Sequence, residues 1–148
     1  MKKWMLFLIG VVCMVGCSDK QAFEPVEINP EIDVCEICNM SIAHEQYATE
    51  VISQEGEIYK FDDLGCMMEF LQNEMESEVA KNYVRDVESG EWVELEEAYF
   101  SFNLDFWTPM ANGVVSFKDK ESAEEYEQGK GRVYDYNNLL QHQWGFEQ

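Results

Sequence analysis

Basic residues are scarce in this chain of 148 residues: 10 Lys and Arg stand against 30 Asp and Glu, which gives a formal net charge of −20. A body this acidic repels phosphate backbones, so a nucleic-acid partner is excluded. Polybasic attachment to anionic lipid headgroups is excluded for the same reason. Intrinsic disorder is excluded as well, because 46% hydrophobic and 14% aromatic residues can supply a core.

Long hydrophobic runs are also missing. The apolar stretch within residues 1–16 (MKKWMLFLIGVVCMVG) is shorter than the roughly 20 residues that span a bilayer. Two lysines precede it, which is typical of a secretory signal peptide. The ending MVGC resembles a lipobox and predicts lipidation of Cys17, whose acyl chains would anchor the protein on the extracytoplasmic side of a membrane. The alternative is a plain cleaved signal. Residues 17–33 are polar and contain two prolines, which predicts a tether.

Three cysteines remain beyond the predicted signal and lipidation site: Cys35, Cys38 and Cys66. An odd number cannot pair completely within one chain in an oxidising compartment. A disulfide scaffold is also unnecessary for a domain with so many apolar residues. These thiols therefore require a chemical explanation.

The order of predicted elements indicates an α+β fold made of two small ββαβ units, 34–90 and 91–148. The first contains strands 47–53, 58–61 and 81–88 and a helix over 64–76, and the second contains strands 97–102, 113–118 and 132–136 and a helix over 121–128. Asp62 or Asp63 can cap the first helix, and Asp119 the second.

The two units resemble each other, which suggests an internal duplication. Aligning 58–70 with 114–126 pairs Phe61 with Phe117 and Asp63 with Asp119. Each unit alone is too small to bury much apolar surface, so we expect the two to pack together.

The segment CEICNM, residues 35–40, carries the strongest chemical signal. Cys35 and Cys38 are three residues apart and can meet on one side of a turn, as a metal site or a redox pair requires. Cys38 and Met40 are two apart, so an extended backbone projects both sulfurs to one face. Thiolate and thioether together are soft ligands that favour Cu(I) over zinc or hard cations.

Met110 is unusual among the methionines because it lies in a loop, between Pro109 and Gly113, rather than at helical spacing. We expect Met67, Met68 and Met75, which follow the helical pattern, to be core residues.

Two alternatives remain open for the cysteines. Zinc requires four ligands, and with only two histidines in the chain the available set is Cys35, Cys38, Cys66 and His44. That set would make the protein a zinc-binding structural or sensory lipoprotein. A thiol–disulfide redox lipoprotein would use Cys35 and Cys38, although a redox CxxC usually lies between a strand and a helix.

No nucleophile–base pair or activated-water site is evident, so the sequence does not indicate an enzyme. Asp62 and Asp63 are adjacent carboxylates, but a helix cap explains them.

Three segments together resemble the NosL family, the membrane-anchored accessory lipoproteins of nitrous oxide reductase. They are CEICNM behind the lipobox, FDDLGCMM at 61–68 and TPMANGVVSF at 108–117. The resemblance implies a pair of ββαβ units akin to those of organomercurial lyase. It also implies a Cu(I)-binding metallochaperone that supplies copper for the reductase's copper–sulfide centre.

The resemblance further implies that Cys38, Met40 and Met110 bind the copper. Cys35 matches the family's first cysteine, whose role as a ligand is less defined, and Ala111 stands where many relatives have glycine. The implied copper acceptor is apo nitrous oxide reductase or another cuproprotein, and a copper-exporting membrane protein is a candidate donor. The acidic surface would guide docking to a basic face of a partner.

Overall fold

The structure, a computed structural model, describes residues 23–75 and 78–144. Its strands are β1 (Thr49–Ser53), β2 (Ile58–Phe61), β3 (Val79–Arg85), β4 (Trp92–Glu94), β5 (Tyr99–Phe102), β6 (Val114–Phe117) and β7 (Arg132–Tyr134). Its α-helices are α1 (Leu64–Phe70), α2 (Lys120–Gly129) and α3 (Tyr136–Leu139), with a 3₁₀ turn at Glu45–Tyr47 and a π-helical turn at Leu71–Met75.

The first sheet has the strand order β2-β1-β3-β4, with every neighbouring pair antiparallel. Helix α1 follows β2 and packs on one face of the sheet, where the rings of Phe61 and Phe70 lie 5.1 Å apart. The helix begins at Asp63, whose side chain accepts the backbone N–H of Cys66 at 3.1 Å. This bond satisfies one of the donors that every helix start leaves free.

The second sheet repeats this arrangement with the order β6-β5-β7. In both sheets the first strand of the hairpin is central, with its hairpin partner on one side and the strand after the helix on the other. Asp119 caps α2 as Asp63 caps α1, by accepting the backbone N–H of Ser122 at 2.8 Å. The prediction of two ββαβ units is therefore confirmed.

The two units pack against each other and share a core. Ser116 Oγ on β6 donates to the carbonyl of Arg85 on β3 at 2.7 Å, and the backbone N–H of Lys118 donates to Asp86 Oδ2 at 2.8 Å. Residues of both units belong to one buried apolar cluster, among them Val51, Phe61, Met67, Val84, Phe100, Val114 and Leu139. Neither unit has to bury its own apolar face alone.

Two short elements are absent from the sequence-based prediction. Strand β4 has three residues and pairs with β3, so the first sheet extends beyond residue 90, where the sequence analysis divides the units. Helix α3 has four residues, Tyr136–Leu139, with Asp135 as its N-cap, so the predicted strand 132–136 ends at Tyr134 instead. Elements this short contain too few residues for hydrophobic periodicity to reveal them.

Residues 23–33 lie against the first sheet. The backbone N–H of Val26 donates to Glu50 Oε2 at 2.9 Å, and Lys60 Nζ pairs with Asp33 Oδ2 at 2.7 Å. The described part of the segment predicted as a tether is thus attached to the sheet that carries β1 and β2.

The predicted signal peptide, the lipidation site Cys17 and the start of the tether lie outside the described residues. Within the described ranges, no helix has the length and apolar character needed to cross a membrane.

Candidate metal centre

The segment from Cys35 to Met40 folds into a closed loop. The backbone N–H of Cys35 donates to the carbonyl of Met40 at 2.8 Å, and the N–H of Asn39 donates to the carbonyl of Cys35 at 2.9 Å. Asn39 has a φ of +58°, a left-handed conformation that asparagine tolerates better than most residues. The loop therefore holds Cys35 and Cys38 on one side, as their spacing predicts.

Four side chains with metal-binding atoms converge at this loop: Cys35, Cys38, Asp62 and Cys66. One potential ligand atom from each lies within 4.8 Å of all the others. Cys38 is half-buried, whereas the other three residues are at most 4% exposed. Asp62 comes from the segment between β2 and α1, and Cys66 from the first turn of α1.

Hydrogen bonds within the cluster make the thiols unequal. Hydrogen bonding with the Cys66 thiol, and with backbone N–H groups of Cys38, Asp62 and Ile37, lowers the pKa of the Cys35 thiol, against the opposing effect of burial. The same thiol–thiol bond, together with burial, raises the pKa of Cys66.

Cys38 has a different environment. Its Sγ donates to Asp62 Oδ2 at 3.4 Å, and burial raises its pKa. A thiol that attacks disulfides has to be both exposed and readily ionised. Here Cys35 is fully buried, and burial raises the pKa of Cys38, the more exposed of the two. This arrangement disfavours the redox alternative. The three cysteines of the described residues are all free.

The loop that carries Met110 is attached through Asp63, the residue next to Asp62 of the cluster. Asp63 Oδ2 accepts the backbone N–H of Met110 at 2.9 Å and the side-chain amide of Asn112 at 2.6 Å. The two consecutive aspartates therefore each bind one loop. Asp62 binds the loop of residues 35–40, called here the cysteine loop, and Asp63 binds the loop that carries Met110, called the methionine loop.

Gly65 permits this close approach of the methionine loop to α1. A Cβ at position 65 would lie 2.7 Å from the Nδ2 of Asn112, closer than packed atoms approach one another. Ala111 has a φ of +55°, in the left-handed region that glycine adopts more readily than alanine.

Both candidate methionine ligands are accessible. Met40 is 47% exposed and Met110 is 42% exposed, so neither serves as a core residue. By contrast, Met67 and Met68 are buried, which confirms the expectation from their helical spacing. The side chain of Met75 lies outside the described part of the chain.

The burial of Asp62 beside the thiols was not predicted from the sequence. Only Asp63 caps α1, and Asp62 is buried in the cluster, where its Oδ1 has no hydrogen-bond partner among the described residues. The sequence did contain an indication of this role. One carboxylate suffices to cap a helix, so the second of two adjacent aspartates is available for another function.

His44, the fourth zinc ligand considered from sequence, lies outside this group and packs edge-on against Trp107, with ring centroids 4.7 Å apart. The adjacent Tyr47 contacts the same indole at 5.4 Å.

The fold and the cluster define a small α+β protein with a sulfur-rich site suited to metal ions. The NosL family model matches residues 25–144, and the chain belongs to this family. A solved structure with a similar fold is that of the copper chaperone NosL from Shewanella denitrificans, with a TM-score of 0.69 and 21% sequence identity. The match covers 78% of this chain and 94% of that one. No curated protein matches the sequence significantly.

Proposed function

We propose that the protein binds Cu(I) as its cargo through Cys38, Met40 and Met110, with Cys35 beside them, and transfers it to a copper protein. The observation that carries this proposal is the pair of aspartates. Asp62 accepts the thiol of Cys38, and its neighbour Asp63 accepts the backbone N–H of Met110. These two bonds attach the loop of Cys38 and the loop of Met110 to neighbouring residues before α1, which supports a shared site.

The donor set suits Cu(I). Thiolate and thioether sulfurs are soft ligands, and Cu(I) prefers them to the oxygen ligands that hard cations take. A thioether has no proton to lose and forms no disulfide, so it persists as a ligand in an oxidising compartment. The donor set supports carriage of copper rather than catalysis.

Release of copper requires access for an incoming ligand. Met40 and Met110 are both roughly half exposed, whereas Cys38, the thiol of the proposed ligand set, is less exposed. An acceptor can therefore replace the thioethers first and the cysteine last, which allows stepwise exchange without free copper.

The acceptor in this proposal is apo nitrous oxide reductase or another cuproprotein, and a copper-exporting membrane protein is the donor. Family membership supports a copper-related partner, and the net charge of −20 suits a basic docking face. We also propose that acyl chains on Cys17 anchor the protein to the extracytoplasmic side of the membrane. The lipobox-like MVGC supports this part.

An anaerobic Cu(I) titration of the reduced protein against a chromogenic Cu(I) chelator tests the ligand set. We expect one copper per protein and weaker binding in Cys38→Ser, Met40→Leu and Met110→Leu. Each loss should exceed the roughly 10–100-fold effect of changing an outer-sphere group.

Met68→Leu is the matched control, because Met68 is a buried core methionine and the substitution should leave copper affinity unchanged. Failure of the wild-type protein to compete with the chelator would exclude the copper function. Unchanged Cu(I) affinity in Met110→Leu would show that the second unit supplies no ligand to the copper site.

A further inference from the structure

We propose that residues 23–29, called here the strap, act as a pH-sensitive latch on the first sheet. The strap is docked while Glu50 carries a proton, and it detaches as Glu50 ionises and the proton leaves to the solvent. The latch does not depend on copper carriage. Its effect on the reach of the protein rests on the lipid anchor at Cys17, which is part of the proposed function.

Glu50 attaches the strap to the central strand β1. Its Oε2 accepts the backbone N–H of Val26 at 2.9 Å, its Oε1 has no partner among the described residues, and the side chain is fully buried. Phe61, which lies opposite Thr49 of β1, packs on α1. Because side chains alternate along a strand, Glu50 points to the other face of the sheet, where the strap lies.

A small number of further contacts complete the attachment of the strap. The hydroxyl of Tyr83 donates to the carbonyl of Phe23 at 2.9 Å, and Arg85 Nη2 lies 2.7 Å from Glu27 Oε2. Ile28 is buried against the core. Within the described ranges, no strand pairing joins the strap to the sheet. Detachment therefore leaves the sheet intact, as expected of a segment that opens before the whole fold does.

The groups around Glu50 do not compensate for its burial. The charged and titratable groups that face it lie in and after the strap and on the two strands beside β1: Glu27, Asp33, Lys60, Tyr83 and Arg85. Lys60 and Arg85 attract a negative charge at Glu50, but both are already paired at 2.7 Å with one of the two acids. Tyr83 carries no charge near neutral pH, because burial raises its pKa. Burial therefore dominates and raises the pKa of Glu50 to about 7.

The docked strap therefore retains a proton that the detached strap loses. Detachment exposes Glu50 to water, where a glutamate titrates near about pH 4.3. Docking is strongest below that pH and weakens as the pH rises through about 7. Between about pH 6 and pH 8 the detached form is ionised throughout, so the equilibrium constant for detachment increases about tenfold.

Detachment changes how far the domain can extend from the anchor at Cys17. Six residue steps separate Cys17 from Phe23, and thirteen separate it from Pro30, which follows the strap. Pro30 stays fixed, because its carbonyl accepts Ser41 Oγ at 2.9 Å. An extended chain spans at most about 3.6 Å per residue, so the maximum reach increases from roughly 20 Å to roughly 45 Å. Low pH would thus hold the domain close to the membrane.

Amide hydrogen exchange of the protein at pH 6 and pH 8, measured at the N–H of Val26, tests the latch. Dividing each rate by the intrinsic rate of an unfolded chain at the same pH gives the protection of this amide. We expect the protection to fall about tenfold from pH 6 to pH 8 in the wild type. In the isosteric Glu50→Gln, which has no proton to lose, we expect no change.

Ile28→Ala is the matched control, because it loosens the strap without changing the group that titrates. We expect it to lower the protection of Val26 by the same factor at both pH values, so that the tenfold ratio remains. The amide of Val51, on β1, separates local detachment from global unfolding. It should stay more protected than the amide of Val26 at pH 8.

Protection of Val26 that does not change with pH in the wild type, or a tenfold fall that persists in Glu50→Gln, would overturn the proposal. Equal protection of Val26 and Val51 would also overturn it, because both amides would then exchange only through global unfolding. The exchange experiment requires neither copper nor lipid. A protein that binds no Cu(I) and carries no acyl chain would therefore leave the latch standing and remove only the proposed function and the effect on reach.

Discussion

A single buried residue, Glu50, makes the stability of the fold depend on pH. It lies on the central strand β1, and its side chain is fully buried. One oxygen accepts the N–H of Val26, and the other has no partner among the described residues. Burial raises the pKa of Glu50 to about 7, although Lys60 and Arg85 partly oppose the shift.

This raised pKa predicts a loss of stability as the pH increases. The folded protein holds the Glu50 proton more tightly than the unfolded chain, whose glutamates titrate near about pH 4.3. The stabilising effect is complete below that pH and disappears as the pH rises through about 7. The difference is on the order of 3 kcal/mol.

Urea unfolding of the wild type and Glu50→Gln at pH 5 and pH 8 measures this effect. We expect the free energy of unfolding to fall between these pH values more steeply in the wild type than in Glu50→Gln. Glu45→Gln, at an exposed position, is the control and should follow the wild type. Parallel pH profiles for wild type and Glu50→Gln would contradict the assignment.

At the scale of elements, the start of α1 connects the two loops that carry the candidate metal ligands. Asp62 and Asp63 connect this helix to the cysteine loop and the methionine loop, and Gly65 lets the methionine loop pack against the first turn. The two loops are therefore both attached at the start of one helix.

Gly65→Ala should displace the methionine loop, because the new Cβ would meet Asn112 Nδ2, which is itself hydrogen-bonded to Asp63. We expect Cu(I) affinity to fall roughly 10-fold or more, the size of effect seen when supporting residues are changed. The chelator competition described above measures it.

The double variant Gly65→Ala/Asn112→Ala tests the cause of that loss. Removing the amide that the Cβ meets should make the two substitutions non-additive, with the double variant binding copper no more weakly than Asn112→Ala. Strictly additive losses would show that the clash is not responsible.

The same elements show what could be predicted from sequence. Periodicity and local chemistry predict the paired halves, the caps Asp63 and Asp119, and the burial of Met67 and Met68. The structure agrees with these predictions. These features depend on residues close together in the sequence.

Features that depend on long-range placement could not be predicted. Cys66 occupies an apolar position on a helix and resembles a core residue until the fold brings it to Cys35. Which of two adjacent aspartates faces the thiols depends on the backbone at the helix start, where Asp63 is extended as the N-cap. The attachment of residues 23–33 to the first sheet also rests on partners far away in sequence, such as Glu50.

At the scale of the whole molecule, the candidate metal ligands are divided between two similar units. The first contains the cysteines and Met40, and the second contains Met110. Asp86 stabilises the interface between the units, because it accepts the backbone N–H of Lys118 from the second unit. It also accepts the N–H groups of Glu88 and Ser89 in its own turn. The proposed copper site would therefore draw its ligands from both halves of the fold.

The most direct test of this account is X-ray absorption at the copper edge of Cu(I)-loaded protein in which selenomethionine replaces methionine. We expect selenium bonded to copper in the wild type, with less selenium in Met40→Leu and in Met110→Leu and no change in Met68→Leu. Copper without a selenium neighbour, or an unchanged selenium signal in Met110→Leu, would contradict a copper site shared by the two units.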